Sequence, residues 1–160
     1  MFLASSLLAA AVVAVASPEP TFTTTGAFFA VSVPDVDASA AWYREKLGLK
    51  VVMQPPEIEG SRMIALEGGG LLVELIEHDG SMPRRQAAPA ITRDYQMHGM
   101  FKAGIMVDEW DRLVKTLRER EVPVVIGPFP ATAEQRANLI IRDNDGNYIQ
   151  FFGDYARPGP

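Results

Sequence analysis

The side chains that could do chemistry are few, and their types exclude several kinds of reaction. The 160-residue chain contains no cysteine, which excludes disulfides, thiolate catalysis, cysteine-ligated zinc and iron–sulfur clusters. Its two histidines are His78 and His98, so a metal site would depend mainly on carboxylate, amide or water oxygens. Ser32 has no His–Asp pair near it in the pattern, which leaves nucleophilic serine chemistry unsupported. Gly68–Gly70 is typical of a hairpin connection, because no helix follows it to make a phosphate cradle.

Composition and charge narrow the choice of partners. Hydrophobic residues make up 48% of the chain and charged residues 22%, so a packed core is expected. The length predicts one domain of ordinary size. The net charge is −5 and Lys and Arg are not clustered, which argues against nucleic acid or an anionic membrane as the main partner.

The elements that must position these side chains follow one repeated order, a strand, a helix and three strands. In the first copy, Phe28–Val33 alternates as a strand. Asp37 is predicted to cap a helix over residues 38–47, and Gly48 to end it. Three further strands are predicted over Lys50–Gln54, Arg62–Glu67 and Leu71–Glu77.

The second copy repeats this order. Phe101–Val107 is predicted to be a strand, with Phe101 on the same face as Ile105. Asp108 is predicted to cap a helix that ends at Val122, because Pro123 follows it. The remaining strands are predicted over Val124–Ile126, Leu139–Arg142 and Tyr148–Phe152.

The repeat predicts an α+β fold built from two paired βαβββ modules. The modules span residues 27–78 and 98–153, the loop 79–97 joins them, and 154–160 forms a C-terminal tail. One module alone could not bury both its sheet and its helix, so the two must pack together as a single domain.

The N-terminus is predicted to be an export signal. Residues 1–16 are uncharged and end in Ala14-Val15-Ala16, and the apolar run is shorter than a membrane-spanning helix requires. Residues 17–26 would then be a linker. No Lys or Arg precedes the apolar run, which leaves an uncleaved membrane-peripheral helix or a wrongly chosen start codon as alternatives. A cleaved signal would make the protein secreted or periplasmic with no transmembrane anchor; otherwise it would be cytoplasmic.

Three stretches resemble one known superfamily. The first is 28–49, with Phe-Phe-Ala-Val-Ser-Val-Pro-Asp-Val-Asp followed by Trp-Tyr-Arg-Glu-Lys-Leu-Gly-Leu. The second is 100–122, which opens with Met-Phe-Lys-Ala-Gly-Ile-Met-Val-Asp, and the third is Arg-Asp-Asn-Asp-Gly-Asn-Tyr-Ile-Gln-Phe at 142–151. They resemble the vicinal oxygen chelate (VOC) superfamily of glyoxalases, bleomycin-resistance proteins and extradiol dioxygenases. The resemblance covers about residues 26–153 and implies an eight-stranded, cup-shaped mixed sheet with helices outside.

The resemblance also implies two pocket-facing positions in each module, on its first and last strands, where metal-dependent members bind a divalent cation. Those positions are Phe28 and Glu74 in the first module and Lys102 and Gln150 in the second. Phenylalanine cannot bind a metal and a protonated lysine repels one, so two oxygen ligands remain where catalytic sites usually have three protein ligands. No cofactor is therefore expected, and a divalent metal is left as the alternative.

Lys102 is the most informative of these substitutions. In a closed cup its ammonium would lie near Glu74, where the cation would otherwise sit, and the pair would organise the pocket. The alternative is that Lys102 lays its stem along an apolar wall and leaves its charge in solvent. Glu74 itself could also simply be exposed at a strand end.

The resemblance thus implies a largely apolar ligand pocket with a few polar groups. Its candidate residues are Phe28, Ser32, Glu74, Lys102, Met106, Tyr148, Gln150 and Phe152, with His98 at the rim. The aromatic members could equally be ordinary core residues. If a metal is bound, the candidate ligands are Glu74, Gln150 and His98, or His78, Glu74 and His98.

Three functions are compatible with this pocket. The first is a VOC-family protein that binds a small organic molecule, either neutral or anionic, in an apolar cup without a tightly bound catalytic metal. The second is a metal-dependent glyoxalase-like lyase or dioxygenase-like enzyme. The third is a dimeric interaction module with a vestigial pocket. A homodimer is expected in all three cases.

Overall fold

The computed structural model describes residues 26–156, so the predicted signal at 1–16 and most of the linker and tail lie outside the described residues. The fold is the predicted α+β arrangement of two βαβββ modules. The first module contains β1 (Phe28–Ser32), α1 (Val36–Trp42), β2 (Lys50–Met53), β3 (Ser61–Gly68) and β4 (Leu71–His78). The segment between the modules contains the short helix α2 (Arg84–Ala87) and a 3₁₀ turn (Asp94–Gln96). The second module contains β5 (Lys102–Met106), α3 (Trp110–Glu119), β6 (Val124–Phe129), β7 (Asn138–Arg142) and β8 (Tyr148–Phe152).

Each module forms one four-stranded mixed sheet. The strand orders are β1-β4-β3-β2 in the first sheet and β5-β8-β7-β6 in the second. Strand β1 runs parallel to β4, and β5 runs parallel to β8. The other strand pairs are antiparallel. The eight expected strands are therefore present, but they are divided into two sheets, and no strand pairing joins these sheets within residues 26–156.

The first helix begins two residues earlier than predicted. Asp35, not Asp37, caps it: Asp35 has an extended backbone, and its carboxylate accepts a hydrogen bond from the Ala38 amide at 2.9 Å. After Trp42 the helix continues as a π-helical turn over Tyr43–Leu47. Gly48, at φ 76°, ends it as predicted, in the left-handed region that glycine adopts without a steric penalty.

Further predictions also differ from the structure, among them the end of α3, which is Glu119 and not Val122. Glu109 precedes α3 in place of the predicted cap Asp108, and its side chain makes no capping bond. Strand β6 continues to Phe129, beyond its predicted end at Ile126. The segment 79–97 was expected to be a loop but contains α2 and the 3₁₀ turn. No helix within the described range 26–156 is long and apolar enough to span a membrane.

The core lies between the two modules and combines the helix-covered faces of both sheets. Its buried members from the first module include Val33, Val36, Tyr43, Leu66, Val73 and Leu75. Those from the second include Leu117, Leu139, Ile141, Ile149 and Phe151. Because side chains alternate along a strand, the neighbours of these residues point away from the shared core. We call these outward surfaces the open faces of the first and second sheets.

A buried polar network fixes the modules against each other. Asp143 accepts hydrogen bonds from the Tyr43 hydroxyl at 3.0 Å and from the backbone N–H of Asn147 at 2.8 Å. The Ser39 hydroxyl donates to Asp145 at 2.7 Å. Burial raises the pKa of Tyr43, and the charge of Asp143 raises it further. Burial also raises the pKa of Asp145, although the Ser39 hydrogen bond opposes that shift. The Asp-Asn-Asp-Gly-Asn turn thus holds helix α1 of the other module.

Candidate functional site

Strand pairing arranges the open face of the second sheet as three transverse rows of side chains. Each row takes one residue from β5, one from β8 and one from β7. The rows are Lys102–Tyr148–Arg142, Gly104–Gln150–Ile140 and Met106–Phe152–Asn138. The five predicted pocket residues of this module therefore share one surface.

The first row carries an aromatic and cationic cluster. The Arg142 guanidinium donates a hydrogen bond to the Tyr148 hydroxyl and lies 4.5 Å from the centre of that ring. The Phe101 ring lies 5.3 Å from the Tyr148 ring, and the Tyr95 ring lies 6.4 Å from the Phe101 ring. Phe101 was predicted to lie in the strand on the face of Ile105; it precedes β5 instead and is 37% exposed, because alternation does not constrain a residue outside the strand.

Positive charge exceeds negative charge in this cluster. The ammonium of Lys102 lies 6.0 Å from the Phe101 ring centre. Arg93 stacks on the Tyr95 ring at 5.9 Å and donates to its hydroxyl at 2.8 Å. Asp94, 3.8 Å from Arg142, is the acidic partner that the cluster contains. Three cations against one carboxylate favour an anion here, although the whole chain carries a net charge of −5.

The second row contains a buried amide with an unused acceptor. Gln150 is 6% exposed, and its Nε2 donates to Asn138 Oδ1 at 3.4 Å, which is a long hydrogen bond. Its Oε1 is buried and has no hydrogen-bond partner among the described residues. Directly across the ladder, Gly104 contributes no side chain to the row.

The open face of the first sheet has the same plan. Its rows are Phe28–Leu72–Glu67, Ala30–Glu74–Ala65 and Ser32–Ile76–Met63. Glu74 is half-buried between two alanines, and within residues 26–156 it makes no ion pair or side-chain hydrogen bond. Each sheet thus places one polar side chain at the centre of an open face, with a small residue beside it on the edge strand.

The expected ion pair between Lys102 and Glu74 does not form within one chain. The two residues lie on the open faces of different sheets, and no ion pair in the described part of the molecule includes either of them. The reason is the packing of the modules. They meet through their helix-covered faces, so one chain does not close its two open faces into a cup. Lys102 is exposed instead.

The residues at the four family positions do not fit a divalent metal. Phe28 offers no donor atom and Lys102 is a cation, which leaves Glu74 and Gln150 as two oxygen ligands, and within one chain these belong to separate sheets. The histidines do not complete a set. His78 ends β4 and accepts a hydrogen bond from the Gly80 amide at 2.9 Å, and the described residues contain no group of three His, Asp or Glu suited to a metal. His98 lies exposed before β5.

The predicted pocket residues are divided between the two open faces. Phe28, Ser32 and Glu74 lie on the first, and the other five on the second. Phe28 is 58% exposed and Met106 is 68% exposed. Sequence reasoning missed Tyr95, Arg142 and Gly104. Arg142 could have been found from its alternation with Ile140 along β7, whereas nothing in the linker pattern pointed to Tyr95.

Two cavities lie away from the centres of the open faces. One of about 400 Å³ lies between the β2–β3 loop and the start of α1, where Arg62 is paired with Asp37 at 2.5 Å. The other, about 370 Å³, is a groove between α3 and the end of β6. Neither is lined by a predicted pocket residue, so the open faces remain the candidate site.

Comparison with known proteins identifies the family. The model of the Glyoxalase/Bleomycin resistance protein/Dioxygenase superfamily matches residues 15–151. No curated protein matches the sequence. Among solved structures, a glyoxylase/bleomycin resistance protein/dioxygenase domain from Frankia sp. EAN1pec is 20% identical, with a TM-score of 0.64, covering 88% of this chain and 96% of that one.

Two further structures share the fold at low identity. TnmS3, an antibiotic binding protein from Streptomyces sp. CB03234, is 21% identical, with a TM-score of 0.59, and the match covers 82% of this chain and 96% of that one. TioX from Micromonospora sp. ML1 is 17% identical, with a TM-score of 0.59 and coverage of 81% and 98%. The family match spans most of the sequence and agrees with the paired βαβββ modules. The chain belongs to the Glyoxalase/Bleomycin resistance protein/Dioxygenase superfamily, the VOC superfamily that its sequence resembles.

Proposed function

We propose that this protein is a homodimeric small-molecule-binding member of the family. In this proposal it holds an organic anion between the open face of the first sheet of one subunit and the open face of the second sheet of its partner. The ligand binds without a tightly bound catalytic metal.

The observation that carries the proposal is the state of the two open faces in the single chain. Each is built like a pocket floor, with a central polar group among apolar and aromatic residues, yet large apolar side chains on both remain exposed. The exposed ones include Phe28 and Met106, and also Met53 and Ile126, whose ladder partners Ala65 and Ile140 lie on the open faces. Apolar surface of this kind marks a ligand or protein interaction site. A second copy of the chain would provide both a protein interface and a ligand site, because an open face of one subunit can cover the unlike open face of the other.

The donor chemistry supports binding rather than metal-dependent catalysis. A phenylalanine and a lysine occupy two of the four positions where metal-dependent relatives have ligands, so those positions suit an apolar group and an anion. The fold neighbour TnmS3 is described as an antibiotic binding protein, which supports a binding role on this scaffold.

The test is a ligand screen combined with metal analysis. Purified protein is screened by thermal shift against small aromatic and aliphatic acids and their neutral amides, with and without EDTA. We expect acids to raise the melting temperature more than amides, because a ligand that binds only the folded state stabilises it. We also expect EDTA to leave the shifts unchanged. A molar equivalent of divalent metal in protein purified without a nickel column, with binding lost in EDTA, would contradict the proposal in favour of the enzyme.

A further inference from the structure

Gly104 occupies a position where the chain itself has no need of glycine. It lies in the middle of β5 on the open face, and its φ is not in the left-handed region that favours glycine. A Cβ built on it would meet no atom within 4 Å. Glycine weakens a strand interior, and there it often marks a place where a ligand or another backbone comes close. Since nothing in this chain fills the space, the missing side chain leaves room for something from outside.

Gln150 supplies a second, independent observation in the same row. The amide is buried, and its Oε1 lacks a hydrogen-bond donor among the described residues. Such unsatisfied buried acceptors are rare in native proteins and call for an explanation. The neighbours of Gly104 on the open face of β5, Lys102 and Met106, are both exposed, and the position of Gly104 directly across the ladder from Gln150 is open.

We propose that Gly104 and Gln150 form the floor of the ligand site and select a flat aromatic acid that carries a hydroxyl or N–H donor. The ring lies beside Gly104, between the second row and the first, the donor bonds Gln150 Oε1, and the acidic group points towards Lys102 and Arg142. This inference rests on the proposed function and adds the class of ligand.

The spacing of the rows agrees with this class. Adjacent rows on one face are two residues apart along a strand, which corresponds to about 7 Å. A benzene ring with its donor and its acid in para positions spans about that distance. The first row supplies the cations and the aromatic rings of Phe101 and Tyr148 for the acidic end.

The probes are 4-hydroxybenzoate and 4-fluorobenzoate, which are close in size and of which the hydroxy acid alone carries the donor, titrated by NMR into the full chain. We expect the wild-type protein to bind the hydroxy acid about fivefold more tightly, the usual worth of one hydrogen bond. Gln150→Leu should remove that preference, and Gln150→Glu, which keeps an acceptor, should retain the hydroxy acid as the tighter ligand.

Substitutions of Gly104 by larger apolar residues test whether the ligand lies against this position. Gly104→Ala and Gly104→Val fill open space in the chain, so thermal unfolding should show both folded, with melting temperatures at or above that of the wild type. We expect both substitutions to weaken the binding of both acids, valine more than alanine, with a loss of affinity of about tenfold or more for valine.

Three results would overturn the inference. Gly104→Val could bind as well as wild type, which would show that no ligand lies there. It could instead lose the dimer in sedimentation, which would assign the space to the backbone of a second copy. The wild type could bind both acids equally and be unaffected by Gln150→Leu. A wild-type protein that bound aliphatic but not aromatic acids would overturn this inference alone, whereas one that bound no acid at all would overturn the proposed function as well.

Discussion

Lys102 contributes a positive charge to the open face of the second sheet, beside the rings of Phe101 and Tyr148. Its ammonium forms no ion pair with any residue described in its own chain, so the charge is left for a group from outside that chain. A charge-assisted hydrogen bond to an anion is stronger than a neutral one, and this would make Lys102 a main source of affinity for acids over neutral analogues.

Replacing Lys102 with alanine should therefore weaken acid binding selectively. We expect about a tenfold loss of affinity for an aromatic acid, the equivalent of about 1.4 kcal/mol, with little change for the matching amide. Isothermal titration calorimetry measures both. The control is Lys115→Ala on helix α3, whose lysine is exposed and pairs with Glu119 at 2.6 Å. Equal losses for acid and amide would contradict a role in charge recognition.

At the scale of elements, the turn after β7 contains a carboxylate, Asp145, whose charged form is disfavoured by burial. Burial raises the pKa of Asp145, so the folded state binds a proton there more readily than the unfolded chain does. The charged carboxylate therefore lowers the stability of the folded state at neutral pH, and this penalty is relieved as the pH falls through the raised pKa towards the ordinary one.

Asp145→Asn should remove that penalty, because the amide oxygen can still accept the Ser39 hydroxyl. We expect the variant to be at least as stable as wild type at pH 7 in urea unfolding, with the difference vanishing at acidic pH. Glu45→Gln, an exposed change on the π-helical turn, serves as the control. An Asp145→Asn variant that is less stable at pH 7 would show that the charge itself holds Ser39.

These elements also show what the sequence could and could not predict. Strand alternation and the Gly48 helix end depend on local chemistry, so all eight strands and both main helices were predicted to within a few residues. The contact between Tyr43 and Asp143 spans 100 residues of sequence, and no local pattern indicates it. For the same reason the sequence predicted which residues share a face, but not that one chain packs its helix-covered faces together. The Lys102–Glu74 pair was wrong for a single chain on that account.

At the scale of the whole molecule, the proposed ligand site requires two copies of the chain. Each chain exposes two unlike open faces, so a twofold dimer that pairs the first sheet of one subunit with the second sheet of the other creates two identical sites. We expect sedimentation equilibrium at micromolar concentration to give the mass of a dimer. A monomer that still bound its ligand at full affinity would contradict this arrangement.

Subunit mixing tests the shared site most directly. Ala30→Trp blocks the centre of the first open face and Gly104→Trp blocks the second, so neither homodimer should bind ligand. In a mixed dimer one site carries both blocks and the other carries neither. After the two variants are unfolded together and refolded in equal amounts, calorimetry should recover about a quarter of the wild-type number of sites, at wild-type affinity. If the site lay within one chain, the mixture would bind no more ligand than the separate variants.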